Sequence, residues 1–221
     1  VSSKPIKVGR PKPPTHPPWW RWDGGWYESK AQERVYYNWD LTEDSLVWDI
    51  GAYEGAWVFE IYKRYACNVW AFEPSPRAFP ILQNKFKGHP KVRPFSIALG
   101  DEPGLYPLGD FQRDGASFLK PDEPIALVPK QNIATFWQDE NVQHVDLIAL
   151  NIEGGEFELL PVVISHDLVK DIKWLMIQWH AVVSDANEQM LDIQNDLAKT
   201  HHMKWNHGAW EAWERSSTQP S

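Results

Sequence analysis

The seven residues Asp49-Ile50-Gly51-Ala52-Tyr53-Glu54-Gly55 place a carboxylate and two glycines at the end of the apolar run SLVWDIG, Ser45 to Gly51. Glu73 closes the next apolar run, NVWAFE, Asn68 to Glu73. In a doubly wound sheet, ligands gather at the carboxyl ends of strands, and an acid ending the second strand can accept hydrogen bonds from both ribose hydroxyls. The spacing implies a nucleoside ligand. Gly51 and Gly55 have a plainer reading too, as residues that only permit a tight strand-to-helix turn, and a glycine pair alone does not separate the two. Which nucleoside fits depends on charge. A dinucleotide site usually offers G-x-G-x-x-G so that the backbone can approach a pyrophosphate at the helix N-terminus. Here Tyr53 stands where the second glycine belongs, and Glu54 adds negative charge beside that pyrophosphate. A cationic sulfonium tolerates this acidity and suits an aromatic face such as Tyr53, so the loop favours S-adenosylmethionine.

These residues need elements to hold them at one edge. Lys30 to Asn38 suits a short helix, and Ser45 to Gly51 is the first clear strand. Ala56 to Tyr65 is apolar nearly all round, as a helix buried against a sheet would be. Asn68 to Glu73 reads as a second buried strand, Phe79 to Phe86 as a helix with Pro80 near its start, and Val92 to Leu99 as a third strand. From Gly100 to Pro129 the chain is turn-rich, which predicts hairpins or irregular loops, and Asn132 to Phe136 reads as a further short strand. Alternation resumes with strand Val145 to Ile152, helix Glu156 to about Ile164, strand Lys173 to His180 and helix Asn187 to Lys199. The end, MKWNHGAWEAWE, reads as an antiparallel hairpin around Asn206, His207 and Gly208. The rhythm implies an α/β, Rossmann-like, doubly wound and mostly parallel sheet finished by a C-terminal antiparallel hairpin strand.

DIGAYEG, AFEPSP, IALGDEPG, RDGASFL, VDLIALNIEGGEFELL and MIQWH follow one another as in the FkbM-type methyltransferases, a class I, S-adenosylmethionine-dependent group that this chain resembles over about Ser45 to His180. The resemblance implies methyl transfer, usually to a hydroxyl group, with S-adenosylhomocysteine as product and acceptors that are often sugars or glycosylated natural products. It implies that Asp49, Gly51, Ala52, Tyr53 and Gly55 form the cofactor loop, that Glu73 with Pro74 meets the ribose, and that Ile97 and Ala98 wall the adenine. It also implies that Asn151 and Glu153 face the methionine part and the acceptor. The family's usual K-I-D-I-E-G is replaced by Ala149-Leu150-Asn151-Ile152-Glu153-Gly154. The missing lysine and aspartate remove two acid/base candidates and one candidate metal ligand, and no metal is expected.

Methyl transfer is an in-line displacement, so holding the acceptor oxygen against the methyl carbon supplies much of the catalysis. A sugar hydroxyl is a poor nucleophile and needs a base, most often histidine. His180 ends the strand KWLMIQWH and should project at the same edge as Asn151 and Glu153; the sequence points to His180 as base, with Glu153 orienting it or the acceptor. The alternative is that His180 merely caps its strand. His201, His202 and His207 lack a tight ligand spacing and read as a solvated polar segment. Glu156 and Glu158 read as solvated first-turn charges favoured by the helix dipole. Ser117 is expected on an acceptor-side loop, although a plain turn serine fits nearly as well.

The remaining signals are compositional. The 221 residues include 14 Trp and 18 Pro, with Trp19, Trp20, Trp22, Trp26 and six prolines inside the first 26 positions. Residues 1–30 are therefore expected to be an extended arm, with residues 31–221 forming one class I methyltransferase domain. Flat indole faces stack on sugar rings, so Trp19, Trp20 and Trp22 could cover a carbohydrate acceptor; packing across the domain is the competing reading. A net charge of -8 repels phosphate backbones and argues against nucleic acid as a partner. One cysteine makes no intrachain disulfide, no apolar run approaches a membrane span, and no signal core is evident, which together point to a soluble, intracellular protein. An opening on Val1 suits a processed product or a piece of a longer polypeptide. A methyltransferase acting on a small natural product or an amine is the nearest rival, and a noncatalytic carbohydrate-binding module is the rival of another class.

Overall fold

The computed structural model describes residues 35–111, 115–117, 124–180 and 185–217. Seven strands form the main sheet: β1 (Leu46–Ile50), β2 (Asn68–Phe72), β3 (Val92–Phe95), β8 (Val145–Leu150), β9 (Ile172–Gln178), β10 (His201–His207) and β11 (Trp210–Arg215). Their order is β10-β11-β9-β8-β1-β2-β3. The pairs β1–β2, β1–β8, β2–β3 and β8–β9 are parallel, while β11 runs antiparallel to both β9 and β10. The chain steps outward from β1 to β3 and returns to β8 on the other side of β1. That reversal leaves a crevice at the carboxyl ends of β1 and β8, where open sheets of this kind take their ligands.

Side chains alternate across the sheet and make two cores. Trp48, Ile50, Phe72, Ile148, Leu175 and Ile177 pack on one face against α3 (Ile133–Asp139), α4 (Glu156–Ser165) and α5 (Ala186–Leu197). Val47, Val69, Ala71, Leu147, Ala149 and Met176 pack on the other against α1 (Ala56–Tyr65) and α2 (Phe79–Lys85). Beyond the reach of α1 and α2, Tyr36, Tyr37, Trp39 and Leu41 cover this second face, with Trp39 beside Trp174 and Trp205 at ring separations of 5.8 and 6.3 Å. Much of the aromatic excess is thus spent as packing area. Trp48 stacks on Trp70 at 5.5 Å and Phe72 on Phe95 at 4.9 Å, each with Phe136 edge-on.

Two sequence readings are corrected, and the hairpins expected between Gly100 and Pro129 are present as antiparallel strands of a second sheet. The run Val92 to Leu99 divides: β3 stays at the edge of the main sheet, where Pro94 costs no ladder bond, and β4 (Ala98–Gly100) leaves to join a second sheet. That sheet, ordered β4-β7-β5-β6, occupies the stretch expected to be turn-rich, with β5 (Gly104–Phe111), β6 (Gly115–Ser117) and β7 (Pro124–Asn132). Asn132 to Phe136 is not a strand. Asn132 ends β7 and caps α3, its Oδ1 accepting the Thr135 N–H at 2.9 Å, while Ile133, Phe136 and Trp137 form the buried stripe of a helix. The expected helix Lys30 to Asn38 is described only from Val35; Val35 and Tyr36 are helical, and a turn closed by the Asn38 N–H on the Val35 carbonyl then leads into irregular chain. Among the described residues no helix is long and apolar enough to cross a membrane.

Candidate active site

The β1–α1 loop is built by internal demands first. Gly51 has φ +91°, and a Cβ there would lie 2.0 Å from the Asn151 carbonyl oxygen, so β8 itself excludes any side chain. Gly55, at φ +72°, would press a Cβ on Leu82 and Phe86 of α2. Both glycines are therefore accounted for by packing within the chain. The loop amides are equally committed: the N–H groups of Gly51 and Ala52 donate to the Phe72 carbonyl, Tyr53 N–H to Glu73 Oε2 at 2.8 Å, and Gly55 N–H to the Ala52 carbonyl. A pyrophosphate needs such amides free. This loop is unsuited to a dinucleotide for a reason beyond its acidity.

Above it, at the carboxyl ends of β1 and β8, lies a cavity of about 220 Å³ lined by Asp49, Gly51, Ala52, Tyr53 and Asn151, with Tyr36, Tyr37, Trp57 and Trp210 among its other walls. Pockets that hold a whole drug-sized ligand run to about 300–1,000 Å³. This one fits the amino-acid end of a larger molecule. Three of its lining residues carry a buried polar atom without a partner: Asp49 Oδ2, Asn151 Oδ1 and Trp57 Nε1. Two acceptors and one donor match the ammonium and carboxylate of a methionine moiety, and buried polar groups in native proteins are otherwise paired. Burial first, and then the neighbouring Glu73 charge, push the Asp49 carboxyl up to about 8. Burial and Asp49 likewise push the Tyr36 hydroxyl well above its usual range. A cation at this position would relieve the strain on Asp49.

Glu73, buried at the end of β2, accepts Tyr53 N–H on one oxygen and Ser75 N–H on the other, each at 2.8 Å. Two amides fix the carboxylate while leaving it lone pairs for ribose hydroxyls. Pro74 follows it in the chain. Ile97 and Ala98 are not among the cavity's walls: Ala98 is buried at the start of β4, and half-buried Ile97 packs on the α3–α4–α5 core.

A second constellation joins the end of β9 to the turn between β8 and α4. His180 Nδ1 lies 3.0 Å from Glu156 Oε1, and His180 Nε2 lies 3.5 Å from Glu153 Oε1. Burial alone would lower this imidazole; its hydrogen bonds to Glu153 and Glu156, and their charges, outweigh burial and raise it to about 9. Both ring nitrogens of His180 thus face carboxylates, an arrangement that favours the doubly protonated ring. Glu156 also departs from the sequence reading. It is fully buried, not a solvated first-turn charge, and its Oε2 accepts the Gly154 N–H at 3.0 Å. Glu158 accepts the Asp101 N–H and pairs with buried Lys130 of β7, tying the second sheet to α4.

Ser117 lies in β6, and its side chain falls outside the described residues, as do Trp19, Trp20, Trp22 and Trp26. Tyr36, Trp57, Trp210 and Glu156 were not expected at the site. Trp57 is the second residue of α1 and could have been flagged by its place just after the loop; Glu156 lies three residues past Glu153, Tyr36 precedes β1, and Trp210 arrives from a distant part of the chain.

The comparisons with known proteins agree with this topology. A structure designated an rRNA methylase, from Clostridium thermocellum, matches with TM-score 0.53 and 9% identity over 86% of this chain and 96% of that one. The fibrillarin of a fibrillarin/Nop5p complex matches with TM-score 0.51 and 14% identity over 88% and 84% of the two chains. At such identities the likeness speaks to the fold alone. Among curated proteins, nothing matches. The model of the methyltransferase FkbM domain matches residues 49–199, a span that runs from the buried Asp49 to the end of α5 and takes in the cofactor edge and the histidine cluster. The chain therefore belongs to the FkbM methyltransferase family, whose members use S-adenosylmethionine.

Proposed function

We propose that this protein transfers the methyl group of S-adenosylmethionine to a hydroxyl of a sugar or glycosylated acceptor. The observation that carries the reading is the Glu153–His180 pair, a carboxyl group and an imidazole at the same sheet edge as the cavity holding Asp49 and Asn151. Bound S-adenosylmethionine supplies an activated methyl group on a cationic sulfur. Asp49 and Asn151 bind the ammonium of its methionine part, Trp57 N–H donates to the carboxylate, and Glu73 holds the ribose. Glu153 would take the acceptor's proton as its oxygen bonds to the methyl carbon and the methyl–sulfur bond breaks to leave S-adenosylhomocysteine, with His180 steadying the Glu153 carboxylate. This assigns proton acceptance to Glu153, because both nitrogens of His180 already face carboxylates. A neutral acceptor suits a site with this many acids and a chain of net charge -8. Trp19, Trp20 and Trp22 are proposed to stack on the sugar.

A screen of sugars, glycosides, small phenolic or polyketide alcohols and amines with isotope-labelled S-adenosylmethionine tests the reading, with the methylated position read by mass spectrometry and NMR. One methyl group on a sugar oxygen is expected. Transfer confined to nitrogen, or to alcohols without a sugar, would overturn the acceptor class while leaving the methyltransferase intact.

A further inference from the structure

Glu156 is the only one of the three residues in the histidine cluster that is fully buried, and it touches both of the segments that meet there. Its Oε1 accepts the backbone N–H of His180 at 2.8 Å and faces the ring Nδ1 at 3.0 Å. Its Oε2 accepts the N–H of Gly154 at 3.0 Å. One carboxylate therefore grips the end of β9 and the β8–α4 turn together. That turn needs a grip. Glu153 at φ +53° and Gly154 at φ +102° are successive left-handed residues, and such a conformation persists in a non-glycine residue only where its surroundings over-determine it.

The second consequence is electrostatic. The charged groups facing the His180 ring are Glu156 from α4, on Nδ1, and Glu153 from the turn, on Nε2. With Nδ1 protonated against Glu156, the ring can turn only a donor toward Glu153 if it also carries a proton on Nε2. Two carboxylates around a buried ring favour that doubly protonated form.

We propose that Glu156 is a positioning residue that fixes the Glu153 turn to the end of β9 and keeps His180 a hydrogen-bond donor toward Glu153. The inference rests on the reading of Glu153 and His180 as the acceptor-side pair, and extends it to a residue that meets neither acceptor nor cofactor. A merely structural buried acid would support folding without setting the protonation of its neighbour.

Two measurements test this. In the wild-type protein, nitrogen-resolved NMR of the His180 ring at pH 7.5 should show both ring nitrogens protonated; a neutral ring at that pH overturns the proposal without any variant being made. In Glu156→Gln, which keeps an oxygen for only one of the two amides, turns its NH2 toward the other and loses the charge, the His180 titration should fall by about 1–3 pH units. The alkaline limb of the pH–rate profile should move down with it, kcat should drop at least tenfold, and KM for S-adenosylmethionine should stay within about twofold. Glu156→Asp should restore the His180 titration in part. An unchanged His180 titration in a folded Glu156→Gln protein overturns the proposal. The NMR measurements need no acceptor, so failure of the hydroxyl reading in the acceptor screen leaves them intact and is told apart from failure of the positioning role.

Discussion

Asp49 is a buried carboxyl group on the wall of the cavity, two residues before the glycine that follows β1. Burial and Glu73 raise it to about 8, so the ligand-free protein holds its proton through neutral pH. An ammonium placed against it favours the ionised form, and binding below about pH 8 must then release a proton. Affinity for S-adenosylmethionine should fall by up to tenfold per pH unit below about 8, and calorimetry in buffers of different ionisation enthalpy should count close to one proton released at pH 6.5 and none at pH 9. No proton release at pH 6.5 would contradict this account. The sign for stability follows from the same raised value. The stabilisation from this group is complete below its unfolded pKa of about 3.9 and is lost as pH rises through about 8. Asp49→Asn should therefore steady the ligand-free fold at pH 9, abolish the proton release and weaken cofactor binding at least tenfold.

At the scale of elements, the junction of β1 with β8 is the least forgiving place in the fold. A methyl group on Gly51 meets backbone at 2.0 Å in a left-handed conformation, whereas one on Gly55 meets side-chain atoms of Leu82 and Phe86 that can move. Gly51→Ala should cost roughly 2–4 kcal/mol in urea unfolding and clearly more than Gly55→Ala; the reverse order would show that the two strand ends are not pressed together as described. The contrast also explains what the sequence made legible. Asp49, Gly51, Tyr53 and Glu73 sit at the ends of two successive strands, so strand periodicity and one short loop are enough to find them. Tyr36 reaches the same cavity from the flank before β1 and Trp210 from the start of β11, more than a hundred residues away, and only the folded sheet brings them together. Asn132 to Phe136 was misread because five residues hold too few positions to tell a helical stripe from a strand, and the cap that decides it belongs to Asn132. Glu156 was misread because a first-turn glutamate is commonly solvated; its burial is imposed by β9, which the local pattern around α4 does not contain.

Taken whole, the molecule divides its aromatic residues between two tasks. Trp48, Trp70, Phe72, Phe95 and Phe136 form a stacked and edge-on cluster between the sheet and α3, while Trp39, Trp174 and Trp205 seal the far end of the opposite face. The segment that brings Trp39 also brings Tyr36 and Tyr37 to the cavity at the ends of β1 and β8. It is laced to α1 by Trp39 N–H on the Tyr65 hydroxyl at 2.8 Å and by that hydroxyl on the Tyr37 carbonyl at 2.9 Å, and is closed on itself by Trp39 Nε1 on the Tyr36 carbonyl at 3.0 Å. This flank is thus a wall of the cavity that, beyond the helical pair Val35 and Tyr36, is held in shape by these hydrogen bonds. Whatever fills the cavity then also acts on the order of the flank: ligand concentration becomes a folding variable for residues 36–39, raising the free energy of their local opening by RT ln(1 + [L]/Kd). Their amides should exchange with solvent about a hundredfold more slowly at a cofactor concentration one hundred times Kd, while those of β10 at the far edge of the sheet stay unchanged; equal slowing everywhere would mean that the flank opens only with the whole protein.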